Sequence, residues 1–288
     1  MKVNDWFQNL LSRIQPLQSE IDKAEGHAQT IKSRLEKSFG LRKFLLVGSH
    51  SRGTAIRGFS DVDFFSLIAR EDVKRANGYV SSATVLENIK KSLSDRFTDT
   101  DMRIDGQAVV VQFNGGDFSV DVVPAIFREM SANNWPTYFI PDGYGDWMKT
   151  SPEIHNRYLK DADEKSRGKL KFVTQMIKFW KENRNPSVPI SLFHTELLLA
   201  AFLVCAGVKS YAECITEAFQ LLAKRNCGAF RDPVNISGNV NAANTEAKRI
   251  YTLDKVIYAR DHGKKAMYAE NQNDHDEAIR QWKIVFNI

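Results

Sequence analysis

The chain is organised around the stretch Gly48-Ser49-His50-Ser51-Arg52-Gly53-Thr54, which directly follows the apolar run Phe44-Leu45-Leu46-Val47. That run is typical of a strand buried on both faces, and the Gly-Ser turn after it predicts the start of a helix. Glycine lets a phosphate approach the backbone closely, and a helix start presents N–H groups to an anion. Gly48 and Ser49 are therefore predicted to hold the β- and γ-phosphates of a triphosphate tail.

Three aspartates follow this stretch. Asp61 and Asp63 alternate with apolar residues, which places both carboxylates on one face of a strand. Residues 108–123 predict a hairpin with a tight turn at Gly115-Gly116, and this hairpin returns Asp121 to the side of Asp63. Neighbouring carboxylates repel each other unless a cation lies between them, and Mg²⁺ prefers carboxylate oxygens together with substrate phosphates. The three aspartates are predicted to be catalytic metal ligands.

Each of these signals has an ordinary structural explanation when it is taken alone. Gly-Ser turns after strands are common, an Asp-x-Asp pair is more often a surface or turn feature, and a lone Asp in a strand often lies at an edge or is hydrogen-bonded. Their joint occurrence in this order indicates a nucleotidyltransferase-type site.

The same residues resemble a known signature. Gly48-Ser49, then Asp61-Val62-Asp63, then Val120-Asp121-Val122 are similar to the motif of the DNA polymerase beta-like nucleotidyltransferase superfamily. Three further stretches resemble the helical half of 2′,5′-oligoadenylate synthetases and of the bacterial cGAS/DncV-like nucleotidyltransferases (CD-NTases). These stretches are residues 170–180, 190–197 and 232–240.

The resemblance also suggests residues for nucleotide binding in the helical half. Lys171, Gln175 and Lys178 form one polar stripe on a predicted helix, and we expect this stripe to face the cleft. Lys178 matches the lysine that contacts the donor triphosphate in the family, and Ser191 is near the position of a helping hydroxyl. Phe193 is a candidate for stacking on a base.

The fold that the resemblance implies is α+β. A polymerase beta-like catalytic lobe, with a mixed sheet and flanking helices, is expected over residues 1–160, and an all-helical C-terminal lobe over residues 161–288. A long N-terminal helix over residues 4–38 is expected to bridge the lobes, because apolar residues recur there at three-four spacing. Pro16 predicts a kink in this helix or a new start.

Other segments carry weaker predictions. Residues 71–97 are typical of a helix with a break near Asn77-Gly78, and residues 133–152, rich in turn formers and aromatic residues, predict a covering loop. Further helices are predicted at about 166–183, 191–206, 211–225, 244–260 and 274–286, with a polar connector at 232–239.

The implied chemistry is transfer of a nucleotidyl group with two Mg²⁺ ions, for which Mn²⁺ can substitute. Asp61 and Asp63 would hold the donor ion, and all three aspartates the ion that activates the acceptor hydroxyl. The product expected of a CD-NTase is a cyclic di- or trinucleotide made from NTPs, with ATP among them, as a second messenger in anti-phage defence. Regulatory proteins of a defence operon are the expected partners, and the protein is expected to be a monomer.

Composition and cysteine spacing indicate what kind of protein this is and where it is expected to be found. The 288 residues are 43% hydrophobic and 26% charged, with a net charge of +5, so the chain can bury a full core. No apolar run is long enough to span a membrane and no signal-peptide pattern is present, so a soluble cytoplasmic protein is expected. Cys205, Cys214 and Cys227 form no CxxC pair, which predicts free thiols and makes a structural zinc, and hence zinc-dependent DNA sensing, unexpected.

Other functions stay open at this level. A linear polymerase or terminal transferase, such as a poly(A), CCA-adding or oligoadenylate enzyme, would share the aspartates, and product size would separate it. A small-molecule nucleotidyltransferase of the aminoglycoside kind is disfavoured by the match at residues 232–240. A catalytically silent nucleotide- or RNA-binding module would have no need to assemble so much negative charge. The bases used, the ring size of the product and the linkage are not specified by these residues.

Overall fold

The structure is a computed structural model and describes residues 1–59, 61–75, 78–113 and 119–288. Its contacts divide the chain into two compact units. The sheet unit comprises Pro16–Asn156, and the helical unit comprises Met1–Gln15 together with Arg157–Ile288. The predicted domain limits of 1–160 and 161–288 stay a prediction; by its contacts, the first helix groups with the helical unit.

The helices of the described chain are α1 (Val3–Ile14), α2 (Gln18–Ser38), α3 (Gly48–Arg52), α4 (Arg70–Val73), α5 (Ser82–Ser94), α6 (Pro152–Lys165), α7 (Lys169–Glu182), α8 (Leu192–Ala201), α9 (Tyr211–Lys224), α10 (Glu246–Asn271) and α11 (His275–Phe286). The strands are β1 (Leu41–Leu46), β2 (Val62–Ile68), β3 (Lys74–Arg75), β4 (Gly78–Tyr79), β5 (Asp101–Asp105), β6 (Ala108–Gln112), β7 (Ser119–Met130), β8 (Pro136–Pro141), β9 (Trp147–Thr150), β10 (Phe230–Arg231) and β11 (Asn239–Val240). Within the described ranges, none of the helices is apolar over enough length to cross a bilayer.

The sheet unit is built on a seven-stranded mixed sheet of order β1-β2-β7-β6-β5, with β8 added to β7 and β9 added to β8. Strands β2 and β7 run parallel, and the other neighbours in this sheet are antiparallel. The parallel pair brings the start of β2 beside the start of β7. Side chains that alternate along these strands therefore meet across the pair.

The two faces of this sheet are covered differently. One face packs its apolar residues against α2 and α5, with Ile31 and Ile89 fully buried there. The opposite face carries a smaller cluster that includes Phe65 and Leu67 of β2 and Ala125 of β7. Because side chains alternate along a strand, residues 63 and 121 belong to this second face. The aspartates therefore lie on the sheet face opposite to α2 and α5.

The predicted bridging helix consists of two helices, α1 and α2, which belong to different units. Pro16 separates them because proline lacks a backbone N–H and cannot continue the hydrogen-bond ladder. The Glu20 carboxylate accepts a hydrogen bond from the N–H of Leu17 at 2.8 Å and so caps the new start. In the helical unit, Phe7 of α1 packs against Trp282 of α11, with ring centroids 5.1 Å apart.

The helical unit contains α7 to α11, close to the predicted helices, and α10 continues to Asn271, beyond the predicted end near residue 260. It is not entirely helical, because β10 and β11 pair as a two-residue ribbon at the ends of the predicted polar connector. Ser210 and Glu213 cap α9 reciprocally, and this capping box fixes its first turn. The α+β class is confirmed.

Two local predictions are wrong. The strand predicted to be buried on both faces is β1, an edge strand with partly exposed residues, because β2 is its only partner among the described strands. The loop predicted over 133–152 contains β8 and β9, whose aromatic residues pack on the sheet. The interrupted helix predicted over 71–97 consists of α4 and α5, and the β3-β4 ribbon separates them near the predicted break. Asn77 at that break and the predicted turn at Gly115-Gly116 lie outside the described residues.

Candidate active site

Two of the predicted ligands lie side by side on neighbouring strands. In the parallel register of β2 and β7, Asp63 is directly opposite Asp121, and Asp61 immediately precedes β2. On its other side Asp121 is opposite Val110 of β6, the strand that completes the predicted hairpin. The structure therefore brings the three predicted aspartates to one end of the β2-β7 pair.

Ser119 joins this group, although the sequence analysis did not single it out. Its hydroxyl donates a hydrogen bond to Oδ1 of Asp61 and lies 3.4 Å from Oδ1 of Asp121. A serine hydroxyl has one proton to donate, so the longer contact is the weaker of the two. The sequence did contain a signal for Ser119. It lies two residues before Asp121, and period-two alternation places both side chains on the same strand face.

The electrostatics of the cluster are unfavourable to three negative charges. The pKa of Asp121 is raised from 3.8 to about 7, first by burial and then by the charges of Asp61 and Asp63. Ser119 and Arg103 oppose this rise without cancelling it. The chain therefore leaves Asp121 partly protonated near neutral pH. A bound cation would reverse the balance, since an opposite charge favours the ionised carboxylate.

Gly48 lies against this cluster. The N–H of Val47 donates to the carbonyl of Asp63 at 2.9 Å, which ties the end of β1 to β2. Gly48 follows with φ of 66°, and a Cβ added there would lie 2.6 Å from Cγ of Asp63. A larger residue would displace the Asp63 carboxylate. Glycine is thus required here both by its left-handed backbone and by the close approach.

The predicted phosphate-binding turn continues into α3, a single short helix. The N–H of Thr54 donates to the carbonyl of Ser49 at 2.9 Å, and the Ser51 hydroxyl donates to the carbonyl of Gly48 at 2.9 Å. Asn156 in turn donates to the Ser51 hydroxyl at 3.3 Å. These bonds fix the backbone of Gly48 and Ser49 beside Asp63. Their binding of phosphate stays a prediction.

The three nucleotide-binding candidates of the second half belong to the helical unit. Lys178 lies in α7 with 7% of its surface exposed, beside the buried Gln175. Ser191 is the N-cap of α8, where its hydroxyl accepts from the N–H of His194 at 3.2 Å, so it has a structural role. Phe193 is half-buried in the first turn of α8. Their roles toward a nucleotide stay predictions.

The arrangement does not form a closed metal site by itself. Among the described residues, no group of three or more Asp, Glu, His or Cys side chains is arranged to hold a metal ion alone. Mg²⁺ usually takes one or two carboxylates and completes its shell with water and substrate phosphates. The chemistry of the aspartates fits such an open site, because their mutual repulsion is what a divalent cation relieves. Cys205, Cys214 and Cys227 are buried free thiols.

Comparison with known proteins places the chain in a family. Residues 1–163 match the model of the Second Messenger Oligonucleotide or Dinucleotide Synthetase (SMODS) domain. A probable cyclic nucleotide synthase of Bacillus cereus (strain VD146) is 25% identical over 87% of this chain and 82% of its own length. The cyclic AMP-AMP-AMP synthase of Escherichia coli (strain MS 115-1) is 24% identical over 92% of this chain and 90% of its own.

Solved structures show the same fold over nearly the whole chain. E. coli MS115-1 CdnC with ATP matches with a TM-score of 0.76 and 19% identity, covering 99% of this chain and 98% of that one. Vibrio cholerae DncV, a cyclic AMP-GMP synthase in complex with the linear intermediate 5′ pppA(3′,5′)pG, gives 0.77 and 11%, with coverage of 99% and 95%. Together with the matched model, these findings show that the chain belongs to the SMODS domain family, the bacterial cGAS/DncV-like nucleotidyltransferases, which are cyclic oligonucleotide-synthesising enzymes.

Proposed function

We propose that this enzyme makes a cyclic di- or trinucleotide second messenger from NTPs in a Mg²⁺-dependent reaction, with ATP among its substrates. Support for ATP comes from two findings in E. coli MS 115-1: one relative is a cyclic AMP-AMP-AMP synthase, and a structure of similar fold was solved with ATP. Support for the metal comes from the raised pKa of Asp121 in a cluster of three carboxylates.

One observation carries the proposal. Asp63 and Asp121 are in register on parallel neighbouring strands, and Gly48 of the phosphate-binding turn lies against Asp63. A phosphate held at the turn would therefore be adjacent to the carboxylates. This juxtaposition is what phosphoryl-type transfer needs, because its catalysis rests on positioning and charge stabilisation.

Each residue has a proposed role. The backbone at Gly48 and the hydroxyl of Ser49 would hold the β- and γ-phosphates of the donor. Asp61 and Asp63 would hold the ion on the donor side, and all three aspartates the ion beside the acceptor hydroxyl. When bound, two Mg²⁺ ions would lower the pKa of the acceptor hydroxyl and neutralise the charge of the leaving pyrophosphate.

In this scheme Asp121 would release a proton, and Ser119 would position the carboxylate of Asp61. Asp121 would have to be ionised to hold a cation, and because its pKa is raised to about 7 it would give up a proton to do so near neutral pH. Ser119 donates to Asp61 and so holds that carboxylate in position. Closing the ring requires a further transfer, the second for a dinucleotide and the third for a trinucleotide, in which the 3′ or 2′ hydroxyl of the linear intermediate becomes the acceptor and pyrophosphate leaves.

The biological setting is also a proposal. A structure of E. coli MS115-1 CdnC in complex with HORMA-deltaN has a TM-score of 0.73 to this chain, which favours a protein regulator for this enzyme as well. We place its product in anti-phage signalling and the enzyme in the cytoplasm, where NTPs are abundant, as a monomer. Size-exclusion chromatography with multi-angle light scattering tests the last point, since a dimer mass at micromolar concentration would contradict it.

The proposed activity is tested by incubating the purified protein with all four radiolabelled NTPs and Mg²⁺ or Mn²⁺. The products are treated with phosphatase and resolved by chromatography and mass. A phosphatase-resistant cyclic product is expected, and its mass identifies the bases and the ring size. Linear oligomers would instead establish the alternative polymerase-type reaction. Absence of product with all four NTPs, with and without a co-expressed regulator, would contradict the proposal.

A further inference from the structure

A groove with a volume of about 560 Å³ lies on the helical unit, where the end of α7, one face of α10 and the end of α11 meet. Its size falls within the range of about 300–1,000 Å³ that is usual for small-molecule sites. Five of its lining residues are basic or aromatic: Arg184, Tyr251, Lys255, Tyr258 and Lys283. None of them is among the predicted catalytic or nucleotide-binding residues.

The groove is positively charged. Three of its lining side chains are cations, and among the described lining residues there is no Asp or Glu side chain. Oδ2 of Asp254 lies 3.3 Å from Nζ of Lys255, but the Asp254 side chain is 72% exposed. An ion pair this exposed is weak and screened by solvent, so it leaves the charge of Lys255 largely available. An anionic ligand is thus favoured.

Arg184 lines this groove and is hydrogen-bonded to the backbone. Its guanidinium donates to the backbone carbonyls of Trp180 and Val285 and lies 5.3 Å from the centroid of the Trp180 ring. These bonds use two of its five N–H donors. Burial lowers the pKa of Arg184, but an arginine in a protein stays charged at neutral pH. The groove therefore contains a cation whose position is fixed before any ligand binds.

The surrounding backbone is fixed as well. Asn183 donates to the carbonyl of Asn287 at 3.0 Å, and Asn287 donates to the carbonyl of Asn183 at 2.9 Å. This reciprocal pair joins the end of α7 to the end of α11. A groove whose walls are tied together in this way loses little entropy on binding a ligand.

The aromatic residues supply a second recognition element. Tyr251, Lys255 and Tyr258 are spaced at i, i+4 and i+7, so they share one face of α10. Tyr251 is 37% exposed and Tyr258 50% exposed, and Nζ of Lys255 lies 5.1 Å from the centroid of the Tyr251 ring. Tyr258 also contacts His262, with ring centroids 4.4 Å apart. Partly exposed tyrosines beside cations are suited to a ligand that has both a flat base and a phosphate.

We propose that this groove is a second nucleotide-binding site, which takes a nucleoside phosphate outside the catalytic aspartates. The phosphates contact Arg184, Lys255 and Lys283, and the base packs on Tyr251 or Tyr258. A purely inorganic anion would not use the rings, and an apolar ligand would not use three cations. The described residues that line the groove include no Asp or Glu side chain to hold a catalytic metal ion, so the site binds its ligand without reacting it.

The test is equilibrium dialysis of the full chain against radiolabelled ADP in excess EDTA, so that binding does not depend on a metal ion. Lys255→Glu combined with Lys283→Glu should weaken ADP binding about tenfold or more, because two contacts become repulsive. The matched control is Lys264→Glu combined with Lys265→Glu, which makes the same charge change at two exposed lysines of α10. Its affinity should stay within about twofold of the wild type.

A second variant separates a nucleotide site from a simple anion site. Tyr258→Ala should weaken the binding of ADP but leave the binding of pyrophosphate nearly unchanged, since pyrophosphate has no base. The proposal is overturned by undetectable ADP binding to the wild type, by equal losses in the two double variants, or by pyrophosphate binding as tightly as ADP.

Discussion

Asp232 of the helical unit and Asp121 of the sheet unit are surrounded in opposite ways. Asp232 is 1% exposed, and its carboxylate accepts hydrogen bonds from the backbone N–H groups of Val234, Ile236 and Ser237 at 3.0, 3.0 and 2.8 Å. Such donors satisfy a buried carboxylate from within the chain. Asp232 thereby holds the loop between β10 and β11, which is a structural role.

Asp121 faces two further carboxylates, and its pKa rises to about 7. Among the described residues, Ser119 donates to it only at the long distance of 3.4 Å. The fold neutralises Asp232 with its own backbone N–H groups. For Asp121, whose pKa is raised by burial and by neighbouring carboxylates, we propose that a bound cation does so.

The largest effect on the contrast between Asp121 and Asp232 is expected from Asp63→Asn, which removes a charge beside Asp121. Synthesis of the cyclic product should fall by about 1,000-fold or more. The proposed metal ligand that is removed contributes several kcal/mol to catalysis, and each step of about 1.4 kcal/mol corresponds to a tenfold change in rate. The thermal midpoint of the metal-free protein should not fall, because a repulsive charge is removed. Product formation per minute and a melting curve measure the two effects.

Asp105→Asn is the matched control for this experiment. Asp105 is exposed at the end of β5, so both activity and melting should be close to the wild type. Product formation by Asp63→Asn within tenfold of the wild type would contradict the assignment of Asp63.

A smaller loss is expected from Gly48→Ala. The added Cβ would overlap the Asp63 carboxylate, so synthesis should fall by roughly 100-fold, the order found when one catalytic group is displaced by about 1 Å. Gly58→Ala is a sharp control, because Gly58 has φ of 74° and, in the described part of the chain, an added Cβ would have no atom within 4 Å. It introduces the same backbone strain without the overlap. Equal losses of initial rate in the two variants would show that strain, and not the close approach, is decisive.

Asp232→Ala tests whether Asp232 stabilises the loop between β10 and β11. Three backbone N–H groups would lose their acceptor, and the free energy of unfolding should fall by roughly 2–4 kcal/mol. Urea titration followed by circular dichroism measures this change. Asp254→Ala removes an exposed aspartate and should change stability by less than about 0.5 kcal/mol. If Asp232→Ala is as stable as Asp254→Ala, the backbone bonds do not stabilise the loop.

The smallest expected effect is the dependence of stability on pH that arises from Asp121. The carboxyl of Asp121 titrates near 3.8 in the unfolded chain and near 7 in the folded protein, so between these values the folded state binds more protons. The contribution of Asp121 to the free energy of unfolding of the metal-free protein should therefore be fully present below about pH 4 and should be lost as pH rises to about 7. Asp121→Asn removes this contribution.

Melting curves in EDTA at several pH values test this directly. The midpoint of the wild type should fall between pH 5 and pH 8 by about 3 °C more than that of Asp121→Asn. Parallel curves for the two proteins would show that Asp121 is ionised throughout and would contradict the crowding of the three charges.

Much of the site could be predicted from local sequence. Period-two alternation at Asp61 and Asp63 placed both on one strand face, and the hairpin pattern after residue 108 brought Asp121 to Asp63. Lys178 and Ser191 were chosen by resemblance, and the structure adds the finding that Ser191 caps α8. Their part in nucleotide binding remains a prediction.

Other features could not be predicted in this way. The strands β8 and β9 were predicted as loop, because the aromatic and turn-forming residues there acquire strand geometry only by pairing with β7. The edge position of β1 depends on strand order, which a short apolar run does not encode. The basic and aromatic groove gathers residues 184, 251–258 and 283 from three helices, so no single stretch of sequence contains it.

The sequence by itself determined the residue types of the site, their strand faces and the family, because alternation and turn chemistry act over a few residues. Tertiary structure alone decided the register of Asp63 with Asp121, the contact of Gly48 with Asp63 and the raised pKa of Asp121. These depend on burial and on charges brought together from distant positions. Burial and Coulomb interactions are set by distance in space, and local sequence patterns do not specify that distance.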